Sequence, residues 1–254
     1  MNKLIVLLVS VFFSATLCAE TKVIAHRGYW KTAGSAQNSL ASFRKADSIG
    51  AYGSEMDVWL AKDGVLMVNH DRKFDGKYDM ESTESGVLRL LELKNGETMP
   101  TLEEYLALAA TKPSTRLVLE LKAHNDFNRD DEAARQIVDM LRKYDMLDNT
   151  DVISFSLNGC LAFRKLVPDM PVYYLNGDLT PASVKALKLT GIDYSAKVLK
   201  KNPHWISEAH ELGLPVNVWT VNNEDDMKLF IYLGADFITT DHPEQLLQLL
   251  NNAK

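Results

Sequence analysis

Positive charge and cysteine are both scarce in this 254-residue sequence. Lysine and arginine number 28 against 34 aspartates and glutamates, so the formal net charge is -6. Proteins that bind the nucleic-acid backbone usually carry basic patches, and this balance argues against nucleic acid as a partner. Cysteine occurs only at Cys18 and Cys160. If cleavage removes the N-terminal residues together with Cys18, Cys160 alone cannot form an internal disulfide, even in an oxidising compartment.

The apolar run at the N-terminus is too short to span a bilayer comfortably. It covers residues 4–17, follows the basic start Met1-Asn2-Lys3 and precedes Cys18 and Ala19. That order is typical of a secretory signal peptide, whereas a buried N-terminal helix is the alternative. We therefore expect residues 1–19 to be a signal peptide and residues 20–254 to be the folded domain.

Export to the periplasm or the extracellular space follows from this interpretation. Cys18 also suggests the acceptor of a lipoprotein anchor, but Leu17 before it is larger than the residue that such processing prefers. Cleavage near Cys18 or Ala19 is therefore favoured. No transmembrane segment is expected in the mature chain, and no protein partner is implied.

Short apolar segments alternate with segments of helical spacing along most of the chain. Six strand–helix pairs follow one another between Arg116 and Leu250, and two earlier strands end at His26 and contain Glu55. Eight such units predict a parallel (β/α)8 TIM barrel, a single α/β domain with a small insertion, Arg72–Met99, after the second strand. A doubly wound open sheet is the rival. It would need a glycine fingerprint at the first turn to bind a dinucleotide, and His26-Arg27-Gly28 is not one.

Two carboxylates share one face of the second predicted strand. Alternate side chains of a strand point the same way, so Glu55 and Asp57 lie side by side. Glu120 and Lys122 close the apolar third strand with the same spacing. Like charges repel unless a cation lies between them. In a barrel, Glu55, Asp57 and Glu120 would form an oxygen site for one divalent cation, Mg²⁺ or Ca²⁺; a solvated strand edge is the alternative.

Imidazoles and cations also fall at predicted strand ends. His26 ends the first strand, and His70 ends the hairpin that extends the second. Imidazole suits proton transfer near neutral pH, while Arg27 and Lys122 suit a phosphate. Together with a metal site, this set predicts metal-assisted attack on a phosphodiester. Each residue alone is compatible with a structural role.

These motifs resemble those of the glycerophosphodiester phosphodiesterase family. The likeness runs in order through nearly the whole mature chain: His26-Arg27-Gly28, Asn38-Ser39, Glu55-Met56-Asp57, Asp63-Gly64, His70-Asp71, Met99-Pro100-Thr101-Leu102-Glu103-Glu104, Leu119-Glu120-Leu121-Lys122, Val218-Trp219-Thr220-Val221-Asn222, Gly234-Ala235-Asp236 and Thr240-Asp241-His242-Pro243. The motifs are specific as a set, although each one is weak alone.

The resemblance implies a barrel hydrolase that cleaves glycerophosphodiesters to an alcohol and sn-glycerol 3-phosphate. By position, the three carboxylates would be metal ligands, and His26 and His70 the acid and the base. Arg27 and Lys122 would hold the phosphate, and Trp219 would line the glycerol side. One departure is Gln37, which stands where family members usually have glutamate. The missing charge puts metal affinity or substrate choice in doubt.

Two other functions remain open at this point. A phospholipase would use the same chemistry on intact lipid, but it needs an apolar lip, and Arg72–Met99 is too polar to suggest one. An exported glycerophosphate-binding protein would need no acid–base pair. Among the remaining residues, we expect His124 and the stretch Asn125–Glu132 to be solvated, with the next helix beginning at Glu132.

Overall fold

The computed structural model describes residues 20–252, so the expected signal peptide lies outside the described residues. The strands are β1 (Lys22–Ala25), β2 (Gly53–Leu60), β3 (Leu66–Val68), β4 (Lys73–Phe74), β5 (Tyr78–Asp79), β6 (Arg116–Leu121), β7 (Thr150–Ser154), β8 (Val172–Tyr174), β9 (Gly191–Ser195), β10 (Val216–Trp219) and β11 (Phe237–Thr240). The helices are α1 (Leu40–Ser48), α2 (Ser85–Leu88), α3 (Leu102–Ala109), α4 (Phe127–Lys143), α5 (Leu157–Leu166), α6 (Pro181–Ala186), α7 (Ala196–Lys201), α8 (His204–Glu211), α9 (Glu224–Tyr232) and α10 (Pro243–Asn252). Within residues 20–252, no helix combines the length and the apolar character needed to cross a membrane.

Eight parallel strands close into a barrel. Their order around it is β1, β2, β6, β7, β8, β9, β10 and β11, and β1 pairs with both β2 and β11. The predicted (β/α)8 barrel is therefore confirmed, and the open doubly wound sheet is excluded. Parallel strands point their carboxyl ends to the same mouth, which is where such barrels carry their functional side chains.

The core lies in two concentric layers. Outward-facing side chains of the strands, such as Met56, Leu119 and Val218, pack against the apolar faces of the surrounding helices. Inside the barrel, Ile24, Val118 and other inward-facing residues fill the lower part. Because successive strand residues alternate between these two faces, Glu120 points into the barrel two residues beyond Val118.

The insertion after the second barrel strand has a small core of its own. Strand β3 runs antiparallel to β2, and the following segment packs Met80, Leu88 and Met99 against Trp59. Within this segment, α2 is a single helical turn that ends at Leu88. Its start is fixed by Asp63, whose carboxylate accepts bonds from the backbone N–H and hydroxyl of Ser85.

Helix α4 begins five residues earlier than the sequence indicated. Asp126 caps it by accepting a bond from the N–H of Asn128 at 2.9 Å. The expectation of a solvated loop is correct only in part: residues 125–128 are exposed, but residues 127–132 are helical and Asp130 is buried. The first turn is polar and shows no apolar periodicity, so only the buried partners of Asp130 reveal it. His124, also expected to be solvated, is 7% exposed.

Candidate active site

Three carboxylates converge inside the barrel mouth. Asp57 and Glu120 are direct partners in the β2–β6 register, and Glu55 precedes Asp57 on the same face. One oxygen from each of the three lies within 4.8 Å of the others, and all three residues are buried. The structure therefore brings together the three carboxylates that the sequence singled out.

Burial and mutual repulsion shift the pKa values of the three carboxylates in different directions. Burial, followed by the charges of Asp57 and Glu120, raises the pKa of Glu55 well above its usual value. Burial likewise raises the pKa of Glu120 to about 8, although Lys122 opposes the shift. Burial also acts to raise the pKa of Asp57. The charges of Lys122 and His70 and a hydrogen bond from Asn38 outweigh this effect, so the pKa of Asp57 is lowered. Three ionised carboxylates so close together call for additional positive charge.

Two cationic side chains flank the carboxylates. Lys122 Nζ lies 3.2 Å from Asp57 Oδ1 and 2.7 Å from Glu120 Oε1. Arg27 Nε lies 3.9 Å from Asp57 Oδ2, while its Nη1 donates to Gln37 Oε1 at 2.8 Å. Gln37 thus orients Arg27 through a hydrogen bond to a neutral amide. Glutamine in place of the glutamate that is usual in the family therefore still contacts Arg27.

The turn that carries Arg27 depends on the glycine after it. The backbone N–H of Arg27 donates to Glu55 Oε2 at 2.6 Å. Gly28 has φ of 74°, and a Cβ built there would lie 2.3 Å from Ser42 Oγ. Only glycine allows this close approach to α1 without displacement of that helix.

Both histidines point one ring nitrogen at a carboxylate. His26 Nδ1 lies 2.8 Å from Asp241 Oδ1, and His70 Nδ1 lies 2.7 Å from Asp71 Oδ1. Because a carboxylate only accepts, each Nδ1 carries a proton and Nε2 is left for the cavity that both rings line. Burial lowers the pKa of His70, and this effect outweighs the opposing charge of Asp57.

Asp241 is held more firmly than Asp71. Trp30 Nε1 donates to its Oδ1 at 3.1 Å, and Asn222 Nδ2 donates to its Oδ2 at 2.8 Å. Burial acts to raise the pKa of Asp241, but the bond from His26 and the neighbouring charges lower it below the usual range. The sequence analysis assigned no role to Asp241. Its position directly after the last strand is the feature that could have indicated a functional residue.

Asn38 is a second residue of the site that was not predicted from the sequence, and it contacts Asp57. Its Nδ2 donates to Asp57 Oδ2 at 2.8 Å, and its Oδ1 accepts from the Asp57 backbone N–H at 3.1 Å. Asn38 lies directly before Ser39, which is the N-cap of α1. No local pattern distinguishes a capping asparagine from one that binds a carboxylate on the next strand.

The cavity between these groups has about 120 Å³ of free volume. Its polar side carries the histidines, Arg27, Glu55 and Glu120, whereas Ile153, Phe155, Leu175 and Trp219 supply apolar surface. Trp219 donates from Nε1 to the Asp193 carbonyl at 2.9 Å, and its ring packs edge to face on Phe155 with centroids 5.5 Å apart. All eight site residues predicted from the sequence therefore lie in or directly beside one cavity.

A buried aspartate closes the cavity from within the barrel. Asp193 accepts a bond from Asn217 Nδ2 at 2.9 Å, and burial raises its pKa to about 7. The sequence gave no reason to select it, since its strand looked like an ordinary apolar segment.

A barrel mouth that sets two imidazoles and two cationic side chains around one small cavity suits the cleavage of a phosphodiester. A family model described as the glycerophosphoryl diester phosphodiesterase family matches residues 26–245, and this chain belongs to that family.

Individual relatives agree with this assignment. A protein of Bacillus altitudinis named glycerophosphodiester phosphodiesterase is 28% identical over 249 residues, which cover 92% of this chain and 100% of that protein. The crystal structure of a glycerophosphodiester phosphodiesterase from Parabacteroides distasonis is 47% identical, with a TM-score of 0.90 over 92% of this chain and 98% of its own. An Oleispira antarctica phosphodiesterase, solved with the product sn-glycerol-3-phosphate, shares the fold at 23% identity and a TM-score of 0.80, over 91% of this chain and 97% of its own.

Proposed function

We propose that this protein hydrolyses glycerophosphodiesters to an alcohol and sn-glycerol 3-phosphate, with one divalent cation and two histidines in the reaction. The observation that carries the proposal is the convergence of three buried carboxylates with two carboxylate-bound imidazoles in one small cavity. Membership of the family and the names of the relatives at 28% and 47% identity support the substrate class.

The residues at the mouth are suited to Mg²⁺ or Ca²⁺. All three donors are carboxylate oxygens, which hard cations prefer, and the raised pKa values of Glu55 and Glu120 support the binding of a cation there. Glu55, Asp57 and Glu120 would hold the ion. When bound, it would withdraw negative charge from the phosphate and so favour nucleophilic attack.

Proton transfer falls to the two imidazoles. With Nδ1 held by a carboxylate, each ring can accept or donate a proton at Nε2. One histidine would take the proton of the attacking oxygen, and the other would protonate the departing alcohol. The attacking group is water or the glycerol hydroxyl of the substrate itself. Attack by the hydroxyl would release the alcohol and form a cyclic phosphate, which water would then open to glycerol 3-phosphate.

Arg27 and Lys122 would orient the phosphate, and Trp219 would pack on the glycerol carbons. Both cations lie beside Asp57, and this concentration of positive charge supports a role in binding the phosphate. The apolar wall that Trp219 forms with Phe155 suits the carbon skeleton of glycerol rather than a second charged group.

Release of sn-glycerol 3-phosphate from glycerophosphocholine tests this proposal. The purified protein should produce it, lose activity in EDTA and regain activity when Mg²⁺ or Ca²⁺ is restored. Asp57→Asn should abolish release, whereas Asp139→Asn, an exposed carboxylate on α4, should not. Activity that persists after exhaustive EDTA treatment would argue against the cation. Binding of glycerol 3-phosphate without turnover would identify an exported binding protein instead.

A further inference from the structure

The floor of the catalytic cavity is polar, whereas the interior of a parallel barrel is usually filled by branched apolar side chains. Asp193, Asn217 and Thr239 line this floor from β9, β10 and β11, and all three are buried. A buried polar group costs free energy unless it is hydrogen-bonded. Each of the three therefore needs a partner, either within the protein or in a ligand.

Asn217 and Thr239 satisfy each other. Asn217 Nδ2 donates to Thr239 Oγ1 at 2.9 Å, and Thr239 Oγ1 donates to Asn217 Oδ1 at 3.2 Å. The same Nδ2 also donates to Asp193 Oδ1 at 2.9 Å. Both ends of the Asn217 amide are thus bonded, which fixes its orientation and, through it, the position of the Asp193 carboxyl group.

Asp193 is the member of the floor that keeps a free acceptor. No group among residues 20–252 donates to its Oδ2, although a carboxylate can accept about four hydrogen bonds. That oxygen is not one of the polar atoms that are sealed in the protein without a partner, so it is open to a neighbouring space. The space below Asp193 measures only about 10 Å³, too little for more than a water molecule. A larger group can reach Asp193 only from the catalytic cavity above it.

Asp193 lies one layer beneath the indole that forms the apolar wall. On β10, Asn217 and Trp219 point to the same face two residues apart, and their partners in the register with β9 are Asp193 and Ser195. Trp219 Nε1 donates to the Asp193 carbonyl at 2.9 Å, which ties the wall to the floor. A group that packs on Trp219 therefore has the Asp193 carboxyl group directly below it.

The cationic groups lie on the other side of the barrel. β9 is four strands away from β2 in either direction around the closed sheet. Arg27 and Lys122 flank Asp57 of β2. A phosphate held by these cations lies across the cavity from Asp193, and a glycerol group attached to it, with its carbons on Trp219, would extend toward that residue. The hydroxyl at C1 is the part of the glycerol farthest from phosphorus, so it would reach the free oxygen.

We propose that Asp193 is a specificity-determining residue whose Oδ2 accepts a hydrogen bond from the C1 hydroxyl of the glycerol group. An uncharged donor suits this position, because the carboxylate would repel a second anionic group. A methyl group in place of the hydroxyl would leave a buried oxygen without its partner, and sites of this kind reject such analogues. This inference rests on the proposed phosphodiesterase function of the same cavity.

A pair of diesters measures the contribution of this hydroxyl. Glycerophosphocholine is compared with 2-hydroxypropyl phosphocholine of the same configuration at C2, which lacks only the C1 hydroxyl. Both keep the C2 hydroxyl, so the comparison holds whether water or that hydroxyl attacks phosphorus. The unaltered protein should prefer glycerophosphocholine by about 10- to 100-fold in kcat/KM, the range for a hydrogen bond to a charged group. Equal values for the two diesters would overturn the proposal.

Variants of Asp193 locate the discrimination. Asp193→Ala should reduce the preference to about threefold or less. Asp193→Asn keeps the shape and the bond from Asn217, so it should retain an intermediate preference through a weaker, neutral hydrogen bond. A purely structural role would lower both rates together and leave their ratio unchanged. A full preference in Asp193→Ala would overturn the assignment, as would a full preference in Asp193→Asn if the alanine variant does not fold.

Asp151→Asn is the matched control for these variants. Asp151 is also a buried aspartate of the barrel, but it pairs with Arg116 at 2.6 Å and does not line the catalytic cavity. Its replacement should leave the ratio of the two kcat/KM values unchanged. A change as large as that in Asp193→Ala would show that the ratio responds to any lost carboxylate of the interior, and would overturn the assignment.

Binding of the products separates this inference from the proposed reaction. Calorimetry in the presence of Mg²⁺ compares sn-glycerol 3-phosphate with its 1-deoxy analogue, the phosphate of propane-1,2-diol. The unaltered protein should bind the former about 10- to 100-fold more tightly, and Asp193→Ala should lose this difference. Equal affinities would overturn the role of Asp193. Absence of glycerophosphocholine hydrolysis together with a preserved difference in affinity would instead refute the phosphodiesterase function and support the hydroxyl contact.

Discussion

The two imidazoles at the mouth differ in how firmly their carboxylates hold them. The side chain of Asp241 is 13% exposed and bonded to Trp30 and Asn222, whereas that of Asp71 is 77% exposed. A bond to a solvated carboxylate competes with water, so Asp71 fixes its ring less strictly. The protein therefore holds the tautomer of His26 more firmly than that of His70.

Replacement of these two carboxylates should have unequal effects. Asp241→Asn keeps the shape but can present its amide N–H to Nδ1, which would favour the tautomer with the proton on Nε2. We expect kcat to fall by about 10²- to 10⁴-fold with the melting temperature little changed. The matched variant Asp71→Asn should lose less than about tenfold, in line with an exposed contact. Equal losses in both variants would contradict this distinction.

The division of labour between the histidines is open to a leaving-group test. His26→Ala and His70→Ala should each lower kcat on glycerophosphocholine by about 10²- to 10⁴-fold. A p-nitrophenyl phosphodiester needs little protonation of its departing oxygen, so it should rescue the variant that lacks the acid far more than the other. Near-normal activity of either variant would remove that histidine from the mechanism. Equal losses on both substrates would mean that no separate acid exists.

At the scale of single elements, the start of α4 is held by a buried polar network. Burial acts to raise the pKa of Asp130, but bonds from His124 and Ser156 outweigh it, and the pKa is lowered. His124 Nε2 accepts the backbone N–H of Leu60 at 3.0 Å, so the network also reaches β2. One carboxylate thus connects a helix start with the strand that carries Glu55 and Asp57.

The contribution of this network to the free energy of unfolding should depend on pH. A carboxyl group whose pKa is lower in the folded state stabilises above its unfolded pKa of about 3.9, and the contribution is lost as pH falls through the folded value. Asp130→Asn should lower the free energy of unfolding by about 1–3 kcal/mol at pH 7. The loss relative to the unaltered protein should shrink below about pH 4. Denaturant titrations at several pH values measure this.

Asp139→Asn on the same helix is the control for that experiment. Its side chain is 73% exposed and pairs only with Arg142, a surface contact of small effect. We expect no change in the pH dependence. A deficit in Asp130→Asn that stays constant down to pH 3 would show that the carboxylate charge contributes nothing.

Periodicity predicted the type of nearly every large element but not where each one begins. The apolar strands and the capping box of Thr101 and Glu104 are readable because their signals are local. The early start of α4, the short helix α7 and the two-residue strands β4 and β5 have no apolar period of their own. Caps and buried polar partners determine these elements, and partners become visible only in three dimensions.

At the scale of the whole molecule, the site was predictable because a parallel barrel gathers strand ends at one mouth. The eight residues chosen from the sequence, seven polar ones and Trp219, meet in or beside one cavity. The contacts that sequence reasoning missed join distant segments, such as His26 with Asp241 and Asn38 with Asp57. They depend on barrel closure and on side-chain direction, which spacing along the chain does not encode.

Export is a prediction about the whole chain that mass spectrometry can check. We expect the protein isolated from its native host to begin near Cys18 or Ala19, because residues 1–19 have the basic, apolar and small-residue order of a signal peptide. An intact Met1 would refute this. A mass increase at Cys18 that corresponds to a lipid would move the protein to a membrane surface.

The pairing of the first barrel strand with the last has a consequence for biosynthesis. Lys22 pairs with Phe237, so β1 reaches its second neighbour only after 215 further residues have been made. At about 5–20 residues per second, that interval is roughly 10–40 s. During this time His26 lacks the carboxylate that orients it, and one edge of the sheet stays open. A nascent chain in this state has neither a closed barrel nor an oriented His26, so we expect phosphodiester cleavage to begin only after β11 and Asp241 have been made.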